Sequence, residues 1–239
     1  MESKSTNTDK QSINNQQGYQ PYNQKKYRPY NQKMTQPKVK LNNNGGVVII
    51  EKSCNNNQGR TEPAIILFKC ITWCADGGGR QSIKDINTMD TATRELKEES
   101  CNLFRFDHTK LNSVPKYTST NYTCYFIGID HEIKSEYFDE NLAILKKNEA
   151  PRDWYETCGL RKFYVSDIKK MNLSGDSLLY DVPDIYGNLC NIKAKTKICI
   201  RKWILDINNN AVDFFKPHEN LNFMEGPDNF AYGTKCYQL

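Results

Sequence analysis

The feature that most constrains the fold is a run of glycines set between an apolar segment and an acidic helix. Ala64-Ile65-Ile66-Leu67-Phe68 is an unbroken apolar run that reads as a buried strand continuing toward Trp73. Gly77-Gly78-Gly79-Arg80 follows and is expected to form a loop. Helical periodicity then runs from about Asn87 to Ser100 and contains Thr93-Arg94-Glu95-Leu96-Lys97-Glu98-Glu99. Glu95, Glu98 and Glu99 stand at i, i+3 and i+4 and so share one helix face. Met89, Ala92, Leu96 and Leu103 mark the opposite, core-facing side, so the acidic stripe is expected to point outward. Asn87 is placed as the N-cap, with Asp90 in the first turn.

Three carboxylates on one face repel one another, by a few tenths of a kcal/mol for each exposed pair. A hard divalent cation among them removes that cost, because Mg²⁺ and Mn²⁺ take oxygen ligands and share their shell with substrate phosphates. Without the glycines, a solvated acidic face would be the ordinary reading.

Glycines, a loop and Arg-Glu-Leu-x-Glu-Glu together resemble the Nudix box, Gly-x5-Glu-x7-Arg-Glu-U-x-Glu-Glu-x-Gly-U with U an aliphatic residue. Two positions depart from it. Six residues beyond Gly79 stands Asp85 where the box has Glu, and Arg94 follows nine residues later rather than eight. Beyond the glutamates, Cys101 falls at the final Gly by strict count. One inserted residue puts Asn102 there and Leu103 at the aliphatic position, and Asn tolerates the left-handed backbone such a position needs. The resemblance implies an α/β fold, a Nudix-like α/β/α sandwich with a mixed β-sheet, over residues 45–207. It also implies that Glu95, Glu98 and Glu99 ligate Mg²⁺ or Mn²⁺, with the Gly79 carbonyl as a further ligand. Arg94 would hold a glutamate in place, and Glu98 and Glu99 would be catalytic. A general base from outside the helix is expected to be Glu156, with Glu149 and Glu140 as rivals. No covalent intermediate is implied, and His108, His131 and His218 form no nucleophile set.

The rest of the chain divides around that unit. Residues 1–44 are rich in Asn and Gln and poor in apolar side chains, so they are expected to be disordered. The chain carries a net charge of +5. Lys4, Lys10, Lys25, Lys26, Arg28, Lys33, Lys38 and Lys40 face only Glu2 and Asp9 in the tail, so the excess sits there and the body is near neutral. Tyr19, Tyr22, Tyr27 and Tyr30 interleave with Lys25, Lys26 and Arg28, a pattern that suits single-stranded nucleic acid. A solubilising tail is the equal alternative.

Val47–Ile50, Tyr122–Ile129 and Phe163–Val165 read as strands, and Asp139–Lys147 as a short helix. Ile192, Thr196, Cys199, Ile200, Trp203 and Ile207 predict an amphipathic helix over about 193–207, rich in Lys and Arg. Residues 208–239 read as a loop-rich extension. No apolar run approaches the roughly 18 residues of a membrane helix, and no secretory leader is recognised, so no membrane partner and a cytoplasmic location are expected. The nine cysteines include no CxxC pair and are expected to be reduced core thiols.

Three functions follow from the resemblance. The first is a Mg/Mn-dependent pyrophosphohydrolase cleaving a nucleoside diphosphate linked to another group, by attack of activated water on phosphorus. The second is an mRNA-decapping enzyme acting on capped RNA, its RNA contacted by Lys25, Lys26, Arg28 and Arg80. A decorated Nudix domain with Asn/Lys-rich composition is similar to proteins of large DNA viruses, some of which decap. The third is a nucleotide- or RNA-binding module without turnover. Trp73, Trp154 and Tyr155 are available either to stack a base or to fill the core.

Overall fold

The computed structural model describes residues 43–56, 58–170, 181–193, 196–202, 222–224 and 234–238. Lys25, Lys26 and Arg28, with nearly all of the basic tail, lie outside the described residues, as do most of 203–239 and Lys195.

Strand β1 (Gly45–Asn55) runs antiparallel to β2 (Thr61–Lys69), with Ile49 opposite Ile66 and Ile50 opposite Ile65. Asn56 Oδ1 closes the turn between them by accepting the Gln58 and Arg60 amides at 3.1 and 3.0 Å. Two short strands follow, β3 (Cys74–Ala75) and β4 (Gly77–Gly79). Helix α1 (Thr88–Glu99), β5 (Phe104–Arg105), β6 (Lys116–Ser119) and β7 (Tyr122–Ile129) come next. They lead to α2 (Ser135–Lys147), β8 (Gly159–Tyr164) and α3 (Val165–Lys170). Beyond lie β9 (Asp181–Pro183), β10 (Leu189–Asn191), a helical run over 196–202, β11 (Asn222–Met224) and β12 (Cys236–Gln238).

The main sheet is mixed. It runs β3-β2-β1-β7-β6, with β4 also on β1 and β8 also on β2, and β7 lies parallel to β1. Alternation along β1 sorts the core into two layers. Val47 and Ile49 face α1 and α2, where Ala92, Leu96, Phe138 and Leu145 are buried. Val48 and Ile50 face the other way, onto Ile168 of α3 and Cys199 and Ile200 of the 196–202 helix. Helices thus cover both sheet faces, which explains why β7 is buried along its whole length and why the strands read as continuous apolar runs. Among the described residues no helix is long and apolar enough to cross a membrane.

The glycines do not form the expected loop. Gly77, Gly78 and Gly79 are a strand paired antiparallel with Val47, Gly46 and Gly45. The reason is steric: a Cβ on Gly78 would strike the Gly46 backbone and the Tyr122 hydroxyl, and one on Gly77 would lie 2.9 Å from Leu96 Cδ1. Only bare backbone lets β4, β1 and α1 approach this closely.

Helix α1 is fixed at both ends. Asn87 Oδ1 accepts the Met89 and Asp90 amides at 2.8 and 3.0 Å. At the other end the Cys101 amide donates to Glu98 O at 3.1 Å and the Asn102 amide to Lys97 O at 2.8 Å, the paired closure of a Schellman motif. Cys101 and Asn102 both take positive φ, 52° and 62°, so the left-handed turn the sequence assigns to Asn102 begins one residue earlier, on Cys101. Leu96, fully buried, contributes about 1.5–3 kcal/mol to docking this helix.

Two stretches of the chain are more ordered than they read. Helix α2 starts at Ser135, four residues before its expected start. Within the expected loop-rich extension, β12 pairs parallel with β5, and Tyr237 stacks on Phe104 with ring centroids 5.8 Å apart. All nine cysteines are free, and Cys158 is the exposed one rather than a core thiol.

Candidate functional site

Arg94 organises the acidic face of α1. Its guanidinium reaches Glu98 Oε2 at 2.7 Å, Glu95 Oε1 at 2.9 Å and Asp85 Oδ2 at 2.9 Å. Its Nη2 also donates to the Arg80 carbonyl at 2.9 Å. One planar fork thereby ties the helix to the strand-to-helix connection, using the geometry that distinguishes arginine from lysine. Asp85 is buried and also accepts the Ser82 amide at 2.7 Å. Burial opposes its ionisation, but the Arg94 hydrogen bonds and the Ser82 amide outweigh it and hold the carboxyl below its usual value of 3.8. Burial likewise works against the Arg94 cation, and its acidic partners more than offset this.

The glutamates are not aimed at open solvent, as the amphipathic pattern suggests. Glu95 and Glu98 side chains are only 16% and 18% exposed. The Glu95 carboxyl occupies the space where a Gly79 side chain would stand. Glu99 Oε2 accepts the Gly78 amide at 3.1 Å. The acidic face is thus folded onto bare β4 backbone, because that strand offers amides and room at the edge where α1 crosses it. Burial, then the neighbouring charges of Asp76 and Glu95, push Glu99 well above the usual 4.5; the Gly78 amide and Lys193 oppose this. Glu98 is also raised, chiefly by burial.

Asp76, between β3 and β4, is a further acid that sequence reasoning missed. It is 2% exposed and accepts hydrogen bonds from the Tyr122 and Thr196 hydroxyls, while its own amide donates to Thr196 Oγ1 at 3.1 Å. Burial and the Asp76 charge hold the Tyr122 phenol well above its usual value. A charged residue one step before three glycines is the signal that was available. Its partners, 46 and 120 residues away, left none.

The remaining expected residues separate. Arg80 is exposed and lines a cleft of about 440 Å³ with Gly78, Gly79, Tyr122 and Lys193. Glu156 is exposed and lines a second cleft, of about 500 Å³, with Cys70, Ile71, Thr72, Trp73, Arg152 and Tyr155. Ionisation of the Cys70 thiol is suppressed first by burial and then by the Glu99 charge, with Lys193 opposing and Cys158 and Glu156 adding less. Glu140 is paired with Lys235 at 2.7 Å, and Glu149 sits at positive φ just after α2. The three candidate aromatics also part company. Trp73 and Tyr155 line the second cleft, Tyr155 and Trp154 both pack against the core, and the Lys97 Nζ stands 4.6 Å from the Trp154 ring centroid.

Oxygen donors of the kind Mg²⁺ or Mn²⁺ takes are therefore gathered at one place: Glu95, Glu98 and Glu99, with Asp76 acting on Glu99 and the glycine backbone alongside. Glu99 is raised by burial first and then by the charges of Asp76 and Glu95; a divalent cation would relieve that repulsion, so the donor set fits such an ion in chemistry. Among the described residues no group of three or more acidic, His or Cys side chains already stands in a metal-holding arrangement. The carboxylates are turned instead onto Arg94 and the Gly78 amide.

No family model matches the chain, and comparison with curated proteins finds no match.

Proposed function

We propose that the chain is a Mg/Mn-dependent pyrophosphohydrolase of the Nudix type, cleaving a nucleoside diphosphate linked to another group. The observation that carries this reading is the seating of Glu95 and Glu99 against bare Gly78–Gly79 backbone, with Arg94 tying Glu95 and Glu98 together. Glu95, Glu98 and Glu99 would hold the cation, with the Gly79 carbonyl within the same cradle. When bound, that ion supplies charge neutralisation of the diphosphate and a more acidic water for attack on phosphorus.

The chain's own groups do the rest. Arg94 fixes the glutamate rotamers, so that binding the cation needs local turning of carboxylates rather than rebuilding of the helix. Lys193 and Arg80 line the cleft beside Gly79 and offset phosphate charge there. Burial, and then the charge of Asp76 held by two hydroxyls, favours a proton on Glu99 that a cation would replace. Glu156 stands beyond Cys70 on the aromatic cleft, a position that suits contact with the substrate better than proton transfer at the glutamates.

Removal of the cap from RNA is the second reading. It is favoured by the open, cation-lined cleft at Arg80 and Lys193, which leaves room for a chain continuing beyond the diphosphate. A binding module without turnover is the third, and the Arg94-tied glutamates argue against it. The test is incubation with Mg²⁺ or Mn²⁺ and a panel of nucleoside triphosphates, dinucleoside polyphosphates, nucleotide sugars and cap-labelled RNA. Metal-dependent release of a nucleotide product that disappears in Glu98→Gln is expected. No turnover with either ion would overturn the enzyme reading.

A further inference from the structure

Resting on that reading, we infer that the cleft formed by Trp73, Tyr155 and Glu156 holds the base of the substrate and selects guanine. The cleft has the composition of a base site: two aromatic side chains, one acceptor-only carboxylate and little else that is polar besides Arg152 and Thr72. Trp73 and Ile71 are 38% and 89% exposed, an apolar surface that gains from being covered by a flat ring. Its volume of about 500 Å³ is ample for a purine nucleoside.

Position ties the cleft to the glutamates. The neighbouring cleft is lined by Gly78 and Gly79, against which Glu99 and Glu95 are seated, and by Lys193. The same Lys193 ammonium is 6.0 Å from the Trp73 ring, so it stands between the two clefts. A nucleotide can therefore lay its base on Trp73 and Tyr155, pass its phosphates across the glutamates, and extend past Lys193.

Glu156 sets the choice of base. A carboxylate has two acceptor oxygens and no donor. Guanine offers two adjacent donors on its Watson–Crick edge, the N1 and N2 hydrogens, and pairs with a carboxylate through both. Adenine offers a donor beside an acceptor on that edge and meets Glu156 with one bond and one repulsion.

The experiment is equilibrium binding of guanosine 5′-diphosphate and adenosine 5′-diphosphate to the full chain in chelator, followed by tryptophan fluorescence and calorimetry. Guanosine diphosphate is expected to bind roughly 10- to 100-fold more tightly, a preference that Glu156→Gln abolishes. Trp73→Ala is expected to weaken both nucleotides by roughly tenfold or more, and because the residue is only 38% exposed the melting temperature is read alongside to show that the variant stays folded. Equal binding of the two nucleotides, or binding untouched by Trp73→Ala, would overturn the inference. Because no cation is present, these outcomes are independent of turnover: guanine-selective binding with no hydrolysis in the metal panel sinks only the enzyme reading. Loss of turnover in Glu156→Gln for every substrate alike, with binding preference intact, would return Glu156 to proton transfer.

Discussion

The Gly78 amide and the Glu99 carboxylate, 21 residues apart, are joined by a hydrogen bond of 3.1 Å that holds a half-buried acid against a strand with no side chains. Glu99→Gln keeps an acceptor for that amide and removes the charge that Asp76 and Glu95 repel. The variant is expected to melt at or above the wild-type temperature in chelator. If Glu99 ligates the proposed cation, the variant is also expected to lose more than about 100-fold in metal-dependent turnover, since such a ligand supplies several kcal/mol. Differential scanning calorimetry and the hydrolysis assay, run side by side, check both halves.

The same carboxyl sets a pH dependence. Glu99 is raised in the folded state, so the folded protein holds a proton that the unfolded chain releases near 4.5. Stability from this group is fully present below that value and is lost as pH rises toward the folded value. Asp85 is lowered, so its contribution is present above 3.8 and is lost as pH falls below it. Thermal melts in chelator from about pH 3 to about pH 8 are therefore expected to show a maximum at mildly acid pH. Added Mg²⁺ or Mn²⁺ is expected to flatten the decline on the alkaline side, where Glu99 can then ionise without penalty.

Adjacent glycines should respond oppositely to a methyl group. At Gly78 an added Cβ meets the Gly46 backbone and the Tyr122 hydroxyl, which cannot yield, so Gly78→Ala is expected to cost about 1–3 kcal/mol. At Gly79 the nearest atoms to an added Cβ are those of the Glu95 carboxyl, the far end of a side chain that can turn away from Arg94. Gly79→Ala is expected to leave the melting temperature nearly unchanged and to weaken Mn²⁺ binding, because Glu95 must swing away. Chemical denaturation and isothermal titration with Mn²⁺ separate the two.

Arg94→Lys keeps the charge and loses the fork. A single ammonium cannot serve Asp85, Glu95, Glu98 and the Arg80 carbonyl together. With the guanidinium 28% exposed, a loss of about 1–2 kcal/mol is expected, toward the low end for hydrogen bonds to charged groups. Urea denaturation reads it, and an unchanged midpoint would mean that the fork contributes nothing.

Much of this was legible because local rules carried it. The i, i+3, i+4 glutamates, the Asn87 cap and the apolar runs of β1, β2 and β7 are short-range patterns, and the helix and strands formed where those patterns lie. The outward acidic stripe was misread because amphipathicity assumes water on the polar face, and here that face meets β4. Asp76 was overlooked because its meaning comes from Tyr122 and Thr196, which only the folded sheet brings near. The pairing of β12 with β5 was invisible for the same reason: a two-residue and a three-residue segment more than a hundred positions apart carry no periodicity of their own.

The Thr196 hydroxyl on Asp76 places the completion of the site late in time. A chain emerging from its N-terminus presents the glycine strand, the capped helix and Arg94 with its carboxylates long before residue 196 leaves the ribosome. Until then the Asp76 carboxylate lacks one of its two hydroxyl partners, and the acidic cluster rests on an unfinished wall. Nascent chains truncated before and after that residue would differ in a property that neither the glycines nor the glutamates encode: whether the Asp76 carboxylate has both of its hydroxyl partners.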